Sequence, residues 1–377
     1  MAGLRGRSVV FVLAGEVSRA ERGALDLAEV FRAEGASVGV LALDDRTGRA
    51  RHIAADRGIP WTSVRVPWSG GHIGKGRSLL EVTRALRAMR PDAIIASTNL
   101  PNVVTGLTWP ATGARTGVWR QCDVNGTTRF SSRVFRCALH ATPVVVTSAE
   151  HGRAWLASGY GLDPSRVQVI PSPVRLPSVR ESGAARRERL ALADDAFVCC
   201  MVAHLHAGKD HVTLLRAWRT VVTRLNGLRP TLLVAGRDAG TEGATKALAC
   251  DLDLRDSVRF VGEVNDVAGL LDACDLAVFC SQRELMPSGV AEPMAAALPV
   301  VATDLPGTRE AFGEADAGVL VASGDPAVLA DAILRLAHDA DLRRRRGAAN
   351  RAAVQGRSDP ETAWVGLISD ALEPRRS

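Results

Sequence analysis

The stretch SQRELMPSGVAEPMAAALPVVATDLPGTREAF, residues 281–312, decides how the whole chain is interpreted. Its two glutamates, Glu284 and Glu292, have seven residues between them. The first follows LAVFCS, which reads as a buried strand, and the second lies in VAEPMAAAL, which reads as a short helix. Because proline inside a helix breaks the hydrogen-bond ladder, we expect Pro293, and with it Glu292, in or near the first helical turn.

A helix N-terminus beside carboxylates suits one kind of ligand. Its free N–H groups and its dipole bind anions such as diphosphate. A carboxylate accepts hydrogen bonds from sugar hydroxyls. Together these groups favour a nucleotide sugar. The spacing leaves open an alternative, in which Glu292 only complements the helix dipole and Glu284 is solvated.

Length and composition limit the class of protein. A chain of 377 residues exceeds one ordinary core and predicts two domains. No apolar run approaches the roughly 18 residues that a membrane span needs. The apolar run at residues 9–14 is followed at once by Glu16, so we interpret it as a first strand rather than a signal peptide. We therefore expect a cytoplasmic protein.

The charge indicates acidic partners, and the cysteines exclude two kinds of site. A net charge of +6 favours nucleotide phosphates, nucleic acid or an anionic membrane face, and it leaves peripheral membrane contact open. The seven cysteines include no CxxC pair. Neither a disulfide framework nor a zinc site is indicated.

Strand-like and helix-like segments alternate along the chain. VVFVLA (9–14) and the helix-like GALDLAEVFRAEG (23–35) begin the pattern, and AFVCCMVAHL (196–205) restarts it after a proline-rich stretch. The helix-like DHVTLLRAWRTVVTRL then has Asp210 as its predicted N-cap. We predict doubly wound Rossmann-like domains at 1–177 and 190–358, a linker at 178–189 and a C-terminal helix at 359–377. Ligands of such sheets bind at the carboxyl ends of the strands.

The opening stretch, extended to FCSQRELMPSGVAEPMAAALPVVATDLPGTREAF, resembles the Glu-x7-Glu signature of family-4 glycosyltransferases, which are retaining enzymes of the GT-B fold. VAHLHAGKDHVTLLRAW resembles the family segment that binds the donor diphosphate, and TLLVAGRDAG resembles the next strand and its glycine-rich turn. The resemblance covers nearly the full length and is strongest from residue 167 to 336. It implies an α/β GT-B architecture, with two Rossmann-like domains facing across a cleft and the C-terminal helix packing back on the first.

The resemblance also assigns roles to single residues. Lys209 resembles the lysine that neutralises the diphosphate, Glu284 the glutamate near the transferred sugar, and Glu292 the one that holds ribose hydroxyls. The wider set of candidate donor-binding residues is His204, Gly236, Arg237, Met286, Ser288 and Gly289. Two positions depart from the family pattern, because His204 stands where arginine is frequent and Leu285 where glycine is common.

The N-terminal half carries weaker candidates. Gly15, at the end of the first strand, would allow close approach of an acceptor or a phosphate. In VWRQCDVNG, Cys122 and Asp123 stand where many relatives have histidine and aspartate near the reaction centre, so Asp123 is the third candidate catalytic residue. Arg120 is a further candidate. The alternative is a structural ion pair between Arg120 and Asp123.

No required metal is expected. The Asp-x-Asp sequences at 251–253 and 339–341 lie among leucines and alanines at helix ends, where solvated acids are ordinary. The resemblance implies no cofactor beyond the nucleotide sugar and no nucleic-acid partner. It implies a hexosyltransferase that moves sugar from a UDP- or GDP-sugar donor to an acceptor hydroxyl with retention, in bacterial glycan, glycolipid or small-molecule glycoside biosynthesis. The alternatives are an epimerase-like or phosphorylase-like enzyme of the same fold, or a non-catalytic relative.

Overall fold

The computed structural model describes residues 3–15, 18–65, 72–122, 130–174, 176, 178–193, 195–225, 229–313, 318–357 and 359–373. The chain divides into two compact units. Unit 1 comprises Met1–Pro173 and Asp359–Ser377, and unit 2 comprises Val174–Ser358. Each unit is an α/β domain built on a parallel sheet, which confirms the predicted fold class.

The sheet of unit 1 is parallel throughout its described residues. Its strands are β1 (Ser8–Leu13), β2 (Ser37–Ala42), β3 (Trp61–Ser63), β4 (Ala93–Ser97), β5 (Thr116–Gln121), β6 (Val144–Thr147) and β7 (Val167–Val169). They lie in the order β3-β2-β1-β4-β5-β6-β7. The central strands are continuous apolar runs because helices cover both faces of the sheet.

The helices of unit 1 form two layers. They are α1 (Arg19–Ala33), α2 (Arg49–Asp56), α3 (His72–Met89), α4 (Asn99–Thr108), α5 (Ser132–Ala141) and α6 (Glu150–Tyr160). One sheet face, which includes Phe11 and Ile95, packs against α1. The opposite face, which includes Val12 and Ile94, packs against α3 and α4. Trp119 continues that second face beneath α4 and α5. The layers α1 and α3–α4–α5 therefore lie on opposite sides of the sheet.

Unit 2 repeats this architecture. Its strands are β8 (Val198–Val202), β9 (Thr231–Ala235), β10 (Val258–Gly262), β11 (Leu276–Phe279), β12 (Val300–Thr303) and β13 (Val319–Val321), in the order β10-β9-β8-β11-β12-β13. Its helices are α7 (Gly183–Arg189), α8 (His211–Arg224), α9 (Glu242–Asp251), α10 (Val267–Asp272), α11 (Ser288–Ala295), α12 (Pro306–Phe312), α13 (Pro326–His338) and α14 (Ala340–Gln355). Asp210 caps α8 by accepting a 3.2 Å hydrogen bond from the Thr213 amide, as predicted.

The segment predicted as a linker is helical over part of its length. Helix α7 occupies residues 183–189 and contacts α10 within unit 2. Arg186, only 5% exposed, forms ion pairs with Glu181 at 2.9 Å and Asp266 at 3.0 Å. From the sequence alone this segment is too polar to pack. In the structure, Glu181, just before the N-cap of α7, and Asp266, distant in sequence, neutralise the buried Arg186.

The C-terminal helix α15 (Pro360–Leu372) belongs to unit 1. Its residues Trp364, Leu367 and Ile368 are buried in the same core as α1 and one face of the sheet. The helix begins at an N-cap, Asp359, which accepts hydrogen bonds from the Glu361 and Thr362 amides. Among the described residues, no helix is long and apolar enough to cross a bilayer.

We predict that Trp364→Ala destabilises unit 1 by about 3–5 kcal/mol, because it removes a large buried side chain and leaves a cavity. Urea unfolding followed by circular dichroism measures the loss, and hydrogen exchange locates it. Exchange should accelerate in β1. Asp370→Ala, at an exposed position of the same helix, is the control. Faster exchange confined to β8 would contradict the assignment of α15 to unit 1.

Candidate functional site

The candidate site of unit 2 lies where the central strands end. Parallel strands bring the loops after β8, β9, β11 and β12 to one edge of the sheet. The loop after β8 contains Lys209, and the loop after β11 contains Glu284. The structure therefore brings two residues 75 positions apart in sequence into contact.

Lys209 is held by a tight turn. Residues 207–209 form one 3₁₀ turn, in which the Lys209 amide donates to the His206 carbonyl at 2.9 Å. The Gly208 amide donates to Nδ1 of His206 at 3.1 Å. Asp210 follows with φ 45° and is the N-cap of α8. The lysine thus lies in the turn that precedes the helix rather than in the helix itself.

The Lys209 ammonium pairs with the Glu284 carboxylate. Nζ of Lys209 donates to Oε1 of Glu284, and the two side chains are only 18% and 15% exposed. The ammonium also lies 4.9 Å from the centre of the Phe279 ring, within reach of a cation–π attraction. Such partial burial strengthens the attraction between the two charges and makes loss of either partner costly, because the other charge would then be buried alone.

Ser281 links the two loops and was not singled out from the sequence. Its hydroxyl, 1% exposed with the rest of the residue, lies 2.8 Å from Oε1 of Glu284 and 3.0 Å from the Gly208 carbonyl. Its amide donates to Oγ1 of Thr303 at 3.1 Å. A small polar residue directly after an apolar strand was the available signal. Ser281 therefore fixes Glu284 relative to the turn that carries Lys209.

A close backbone contact supports Glu284 from below. A Cβ at Gly307, the second residue of α12, would lie 2.4 Å from the Leu285 carbonyl oxygen and 2.8 Å from that of Glu284. No side chain larger than hydrogen fits there without moving the loop. Gly307 is thus needed for the position of the Glu284 backbone.

Helix α11 differs from the prediction at its start. It begins at Ser288, so Glu292 is its fifth residue, and Pro293 lies inside the helix. The prediction of Glu292 as a first-turn residue was wrong, and Pro293, predicted in or near that turn, is the sixth residue of the helix. Pro293 leaves the helix one amide hydrogen bond short, and the helix packs closely on β11, since a Cβ at Gly289 would lie 2.6 Å from the Phe279 ring. Ser288 and Glu292 are half-buried and share one helix face.

The ends of β8 and β9 bring further candidates together. A Cβ at Gly236, where φ is 154°, would lie 1.9 Å from the Ala203 carbonyl, so only glycine allows this approach. The Leu205 amide then donates to the Arg237 carbonyl at 3.0 Å. His204 and Arg237 are half-buried. Among the described residues, buried Nε of Arg237 has no hydrogen-bond acceptor. Met286 is half-buried in the loop before α11.

Two histidines near Lys209 have lowered pKa values, which disfavours their charged forms. Burial, together with the neighbouring ammonium, lowers the pKa of His206 below its ordinary value. Burial lowers the pKa of His211 to about 4, with smaller contributions from His206 and Lys209. His211 is 3% exposed, and its Nε2 has no hydrogen-bond partner among the described residues. The positive charge at this turn is therefore that of Lys209.

The candidate residues of unit 1 do not form one site among the described residues. Asp123 lies outside the described residues, so its role remains a prediction. Arg120, 7% exposed, donates to the Ala20 carbonyl at 3.2 Å and lies 6.0 Å from the Trp364 ring, and it ties α1 to α15. The Gly15 amide donates to the Glu21 carboxylate at 2.9 Å, so the backbone at Gly15 makes a hydrogen bond within unit 1. Cys122 follows β5 and is half-buried.

Within the described part of the chain, no cluster of three or more histidine, cysteine or acidic side chains could hold a metal ion. The Asp-x-Asp sequence at 251–253 ends α9, and its last residue, Asp253, has a side chain that is 93% exposed. Metal independence remains a prediction.

We predict that Ser281→Ala loosens Glu284 and costs about 1–2 kcal/mol of stability, because a buried hydrogen-bond donor to a charged group is lost. A double-mutant cycle with Glu284→Gln in urea unfolding measures the coupling between the two side chains. Ser257→Ala is the control, since its hydroxyl bonds only a nearby backbone carbonyl in the same unit. A cycle that closes with no coupling energy would contradict the link.

We predict that His211 makes the protein less stable in mild acid. The unfolded chain binds a proton near the ordinary pKa of 6.5, and the folded chain binds it only near 4. Stability present above about pH 6.5 is therefore lost as the pH falls toward 4, by about 2 kcal/mol between pH 8 and pH 5. Urea unfolding at both pH values should show this loss reduced in His211→Phe and unchanged in His338→Gln, which alters an exposed histidine.

Comparisons with known proteins support the resemblance over most of the chain. The model described as "Glycosyl transferases group 1" matches residues 184–353, and the model "Glycosyltransferase Family 4" matches residues 20–176. The putative glycosyltransferase EpsD of Bacillus subtilis is 30% identical over 211 residues, covering 56% of this chain and 52% of the relative. A D-inositol 3-phosphate glycosyltransferase of Thermomonospora curvata is 35% identical over 225 residues, covering 55% and 52%. The chain thus spans about half the length of the curated relatives it matches.

Solved structures share the fold along the whole chain. HepE of Anabaena, in complex with UDP and glucose, has a TM-score of 0.82 at 21% identity and covers 97% of this chain and 99% of its own. A glycosyltransferase of Rickettsia africae has a TM-score of 0.83 at 15% identity, covering 99% and 100%. At these identities the likeness establishes the GT-B fold. With both family models matched in sequence order, the chain belongs to glycosyltransferase family 4.

Proposed function

We propose that this protein transfers a sugar from a nucleoside diphosphate sugar to an acceptor hydroxyl, with the anomeric configuration retained. The observation that carries the proposal is the half-buried pair of Lys209 and Glu284 at the carboxyl edge of the unit 2 sheet. One side chain can neutralise phosphate, and the other can accept hydrogen bonds from sugar hydroxyls. Both are needed at the bond that a glycosyltransferase breaks.

Lys209 and Arg237 are the proposed diphosphate ligands. In the absence of donor, Glu284 supplies the negative charge that Lys209 needs. Nε of Arg237 is buried without an acceptor among the described residues, and a phosphate oxygen would satisfy it. An arginine can also contact phosphate in a bidentate manner. This second cation compensates for His204, which stands where relatives have arginine.

Glu284 is the proposed contact to the transferred sugar. When diphosphate takes over Lys209, the carboxylate becomes available to sugar hydroxyls. The Ser281 hydroxyl stabilises it during the exchange, because its oxygen already lies 2.8 Å from Oε1. A carboxylate in this position also stabilises the positive charge that develops on the sugar ring.

Helix α11 is the proposed site of the nucleoside. Glu292 lies one turn after Ser288 on the same half-buried face, and its carboxylate would accept hydrogen bonds from ribose hydroxyls. The N-terminal amides of the helix, near Ser288 and Gly289, would donate to phosphate oxygens. Met286, just before the helix, would pack against the nucleoside.

The reaction breaks the bond between the anomeric carbon and the diphosphate oxygen, and it forms one from that carbon to the acceptor oxygen. The electron pair leaves with the diphosphate, where Lys209 stabilises it. The acceptor proton passes to a diphosphate oxygen, so attack occurs on the face that the leaving group vacates. That geometry retains the configuration without a covalent intermediate. Asp123 remains the proposed helper on the acceptor side.

UDP is the proposed nucleotide, with GDP as the alternative. The support is the fold shared with HepE, whose structures contain UDP and UDP-glucose. A hexose donor, metal independence and a hydroxyl-bearing acceptor from glycan, glycolipid or small-molecule glycoside biosynthesis complete the proposal. The relatives named as acting on D-inositol 3-phosphate make small cyclitol phosphates one acceptor class to include in a screen.

We predict that Lys209→Met lowers donor turnover about 10²–10³-fold, because the leaving-group charge loses its partner. Glu292→Ala should weaken UDP binding about 10–100-fold through lost hydrogen bonds to a charged group. Calorimetry with UDP and GDP, and product analysis by NMR with and without EDTA, measure affinity, anomeric configuration and metal dependence.

The controls separate chemistry from stability. Lys246→Met removes an exposed lysine, which pairs with Glu242 on the same helix, and should change neither affinity nor turnover. Lys209→Met with Glu284→Gln removes both charges, so stability should recover while turnover stays low. If wild type binds neither nucleotide, or if binding occurs without transfer to any acceptor, a non-catalytic or epimerase-like role takes the place of this proposal.

A further inference from the structure

The net positive charge of the protein belongs to one unit. Unit 1 contains 24 lysine and arginine residues against 17 aspartate and glutamate residues, and unit 2 contains 23 against 24. Their net charges are therefore +7 and −1. Both units are equally rich in basic residues, so the difference is a shortage of acids in unit 1. A general abundance of arginine does not explain the asymmetry.

The excess is concentrated on the layer formed by α3, α4 and α5. Helix α4 contacts both α3 and α5, and all three cover the sheet face opposite α1. We call the exposed side of this layer the α3–α5 face. It is defined by Arg77, Leu80, Arg84 and Arg87 of α3, Leu107 of α4, and Arg133 and Arg136 of α5. Glu81 is the one acidic residue in the sequences of α3 and α5.

The arginines of the α3–α5 face are exposed, and none of the five pairs with a carboxylate among the described residues. Two leucines lie in the same layer, Leu80 with 49% and Leu107 with 36% of its surface exposed. On α3, Arg77, Leu80, Arg84 and Arg87 follow one another at intervals of three and four residues and form one stripe. The stripe spans about 15 Å of helix.

Helix α8 of unit 2 offers a comparison within the same chain. It also has three exposed arginines, Arg216, Arg219 and Arg224, and an exposed apolar residue, Val212. Two of these three arginines have carboxylate partners, because Arg224 pairs with Asp331 at 2.6 Å and Arg219 lies 3.9 Å from Asp253. The absence of such partners on the described part of α3 is a property of that face, rather than of exposed helices in general.

We propose that the α3–α5 face docks on an anionic lipid membrane. Unpaired arginines at a bilayer surface each gain about 1 kcal/mol from acidic headgroups, and apolar side chains among them insert into the headgroup boundary. Leucines distinguish this partner from nucleic acid, whose phosphate backbone gives an exposed leucine nothing to pack against. The proposal stands independently of the donor chemistry proposed above.

Vesicle co-sedimentation tests the proposal on the full chain. Vesicles of phosphatidylcholine alone are compared with vesicles that also contain phosphatidylglycerol, at low and at physiological salt. Wild type should bind the anionic vesicles, and Arg77→Gln/Arg84→Gln/Arg87→Gln should bind them on the order of 10²-fold more weakly. Leu80→Gln should weaken binding while preserving its salt dependence, because it removes no charge.

Arg216→Gln/Arg219→Gln/Arg224→Gln is the matched control, since it removes the same charge from α8. Circular dichroism and thermal unfolding establish that both triple variants fold. Selective loss of binding in the α3 variant supports the proposal. Equal loss in both variants, equal binding to neutral vesicles, or binding of duplex DNA or heparin without binding of vesicles would each overturn it.

Discussion

A half-buried ion pair holds the candidate site together. Lys209 and Glu284 lie on loops that follow different strands, and neither charge would be stable at this level of burial without the other. The pair therefore fixes the turn before α8 against the loop before α11. It also prepares the site for an anion, because a ligand that replaces the carboxylate meets an ammonium that is already oriented and partly desolvated.

Two uncharged residues, Ser281 and Gly307, hold the Glu284 partner of this pair in place. The Ser281 hydroxyl has one proton and two acceptors within 3.0 Å, the Glu284 carboxylate and the Gly208 carbonyl. It can donate to one at a time. If Glu284 turns toward a sugar, the proton can turn toward Gly208, so the buried hydroxyl stays satisfied in both states. Gly307 meanwhile holds the Glu284 backbone by close approach, which lets the side chain move while its anchor stays in place.

The sequence predicted the fold because the fold depends on strong local patterns, whereas Lys209 and Glu284 were assigned to one donor site only by the family resemblance. Apolar runs mark buried parallel strands, and charged residues that follow them collect at one sheet edge. The Asp210 cap was predictable for the same reason, since its side chain accepts a hydrogen bond from a free amide in the first turn of α8.

Features that depend on distant contacts were not predictable. Helix α11 starts early enough to place Pro293 inside it and packs Gly289 closely on Phe279, and no local sequence pattern indicates that contact. Helix α7 forms in a stretch that reads as a linker because Asp266, eighty residues on, helps to neutralise Arg186. Ser281 was overlooked because its role depends on its contacts with Gly208 and Glu284, which only the folded structure shows.

The two units differ in the polar groups at the carboxyl edge of their sheets, and this difference favours unit 2 as the donor-binding unit. In unit 1, Gln121 accepts from Trp119 at 2.8 Å and donates to Asn99 at 3.0 Å, so these buried groups satisfy one another. In unit 2, the Lys209 and Glu284 charges are only partly buried, and Arg237 has an unused donor among the described residues. A closed amide network resists ligands, since binding would break bonds already made. The Lys209–Glu284 pair together with Arg237 would instead favour binding of a diphosphate, because diphosphate provides more negative charge than the carboxylate it displaces.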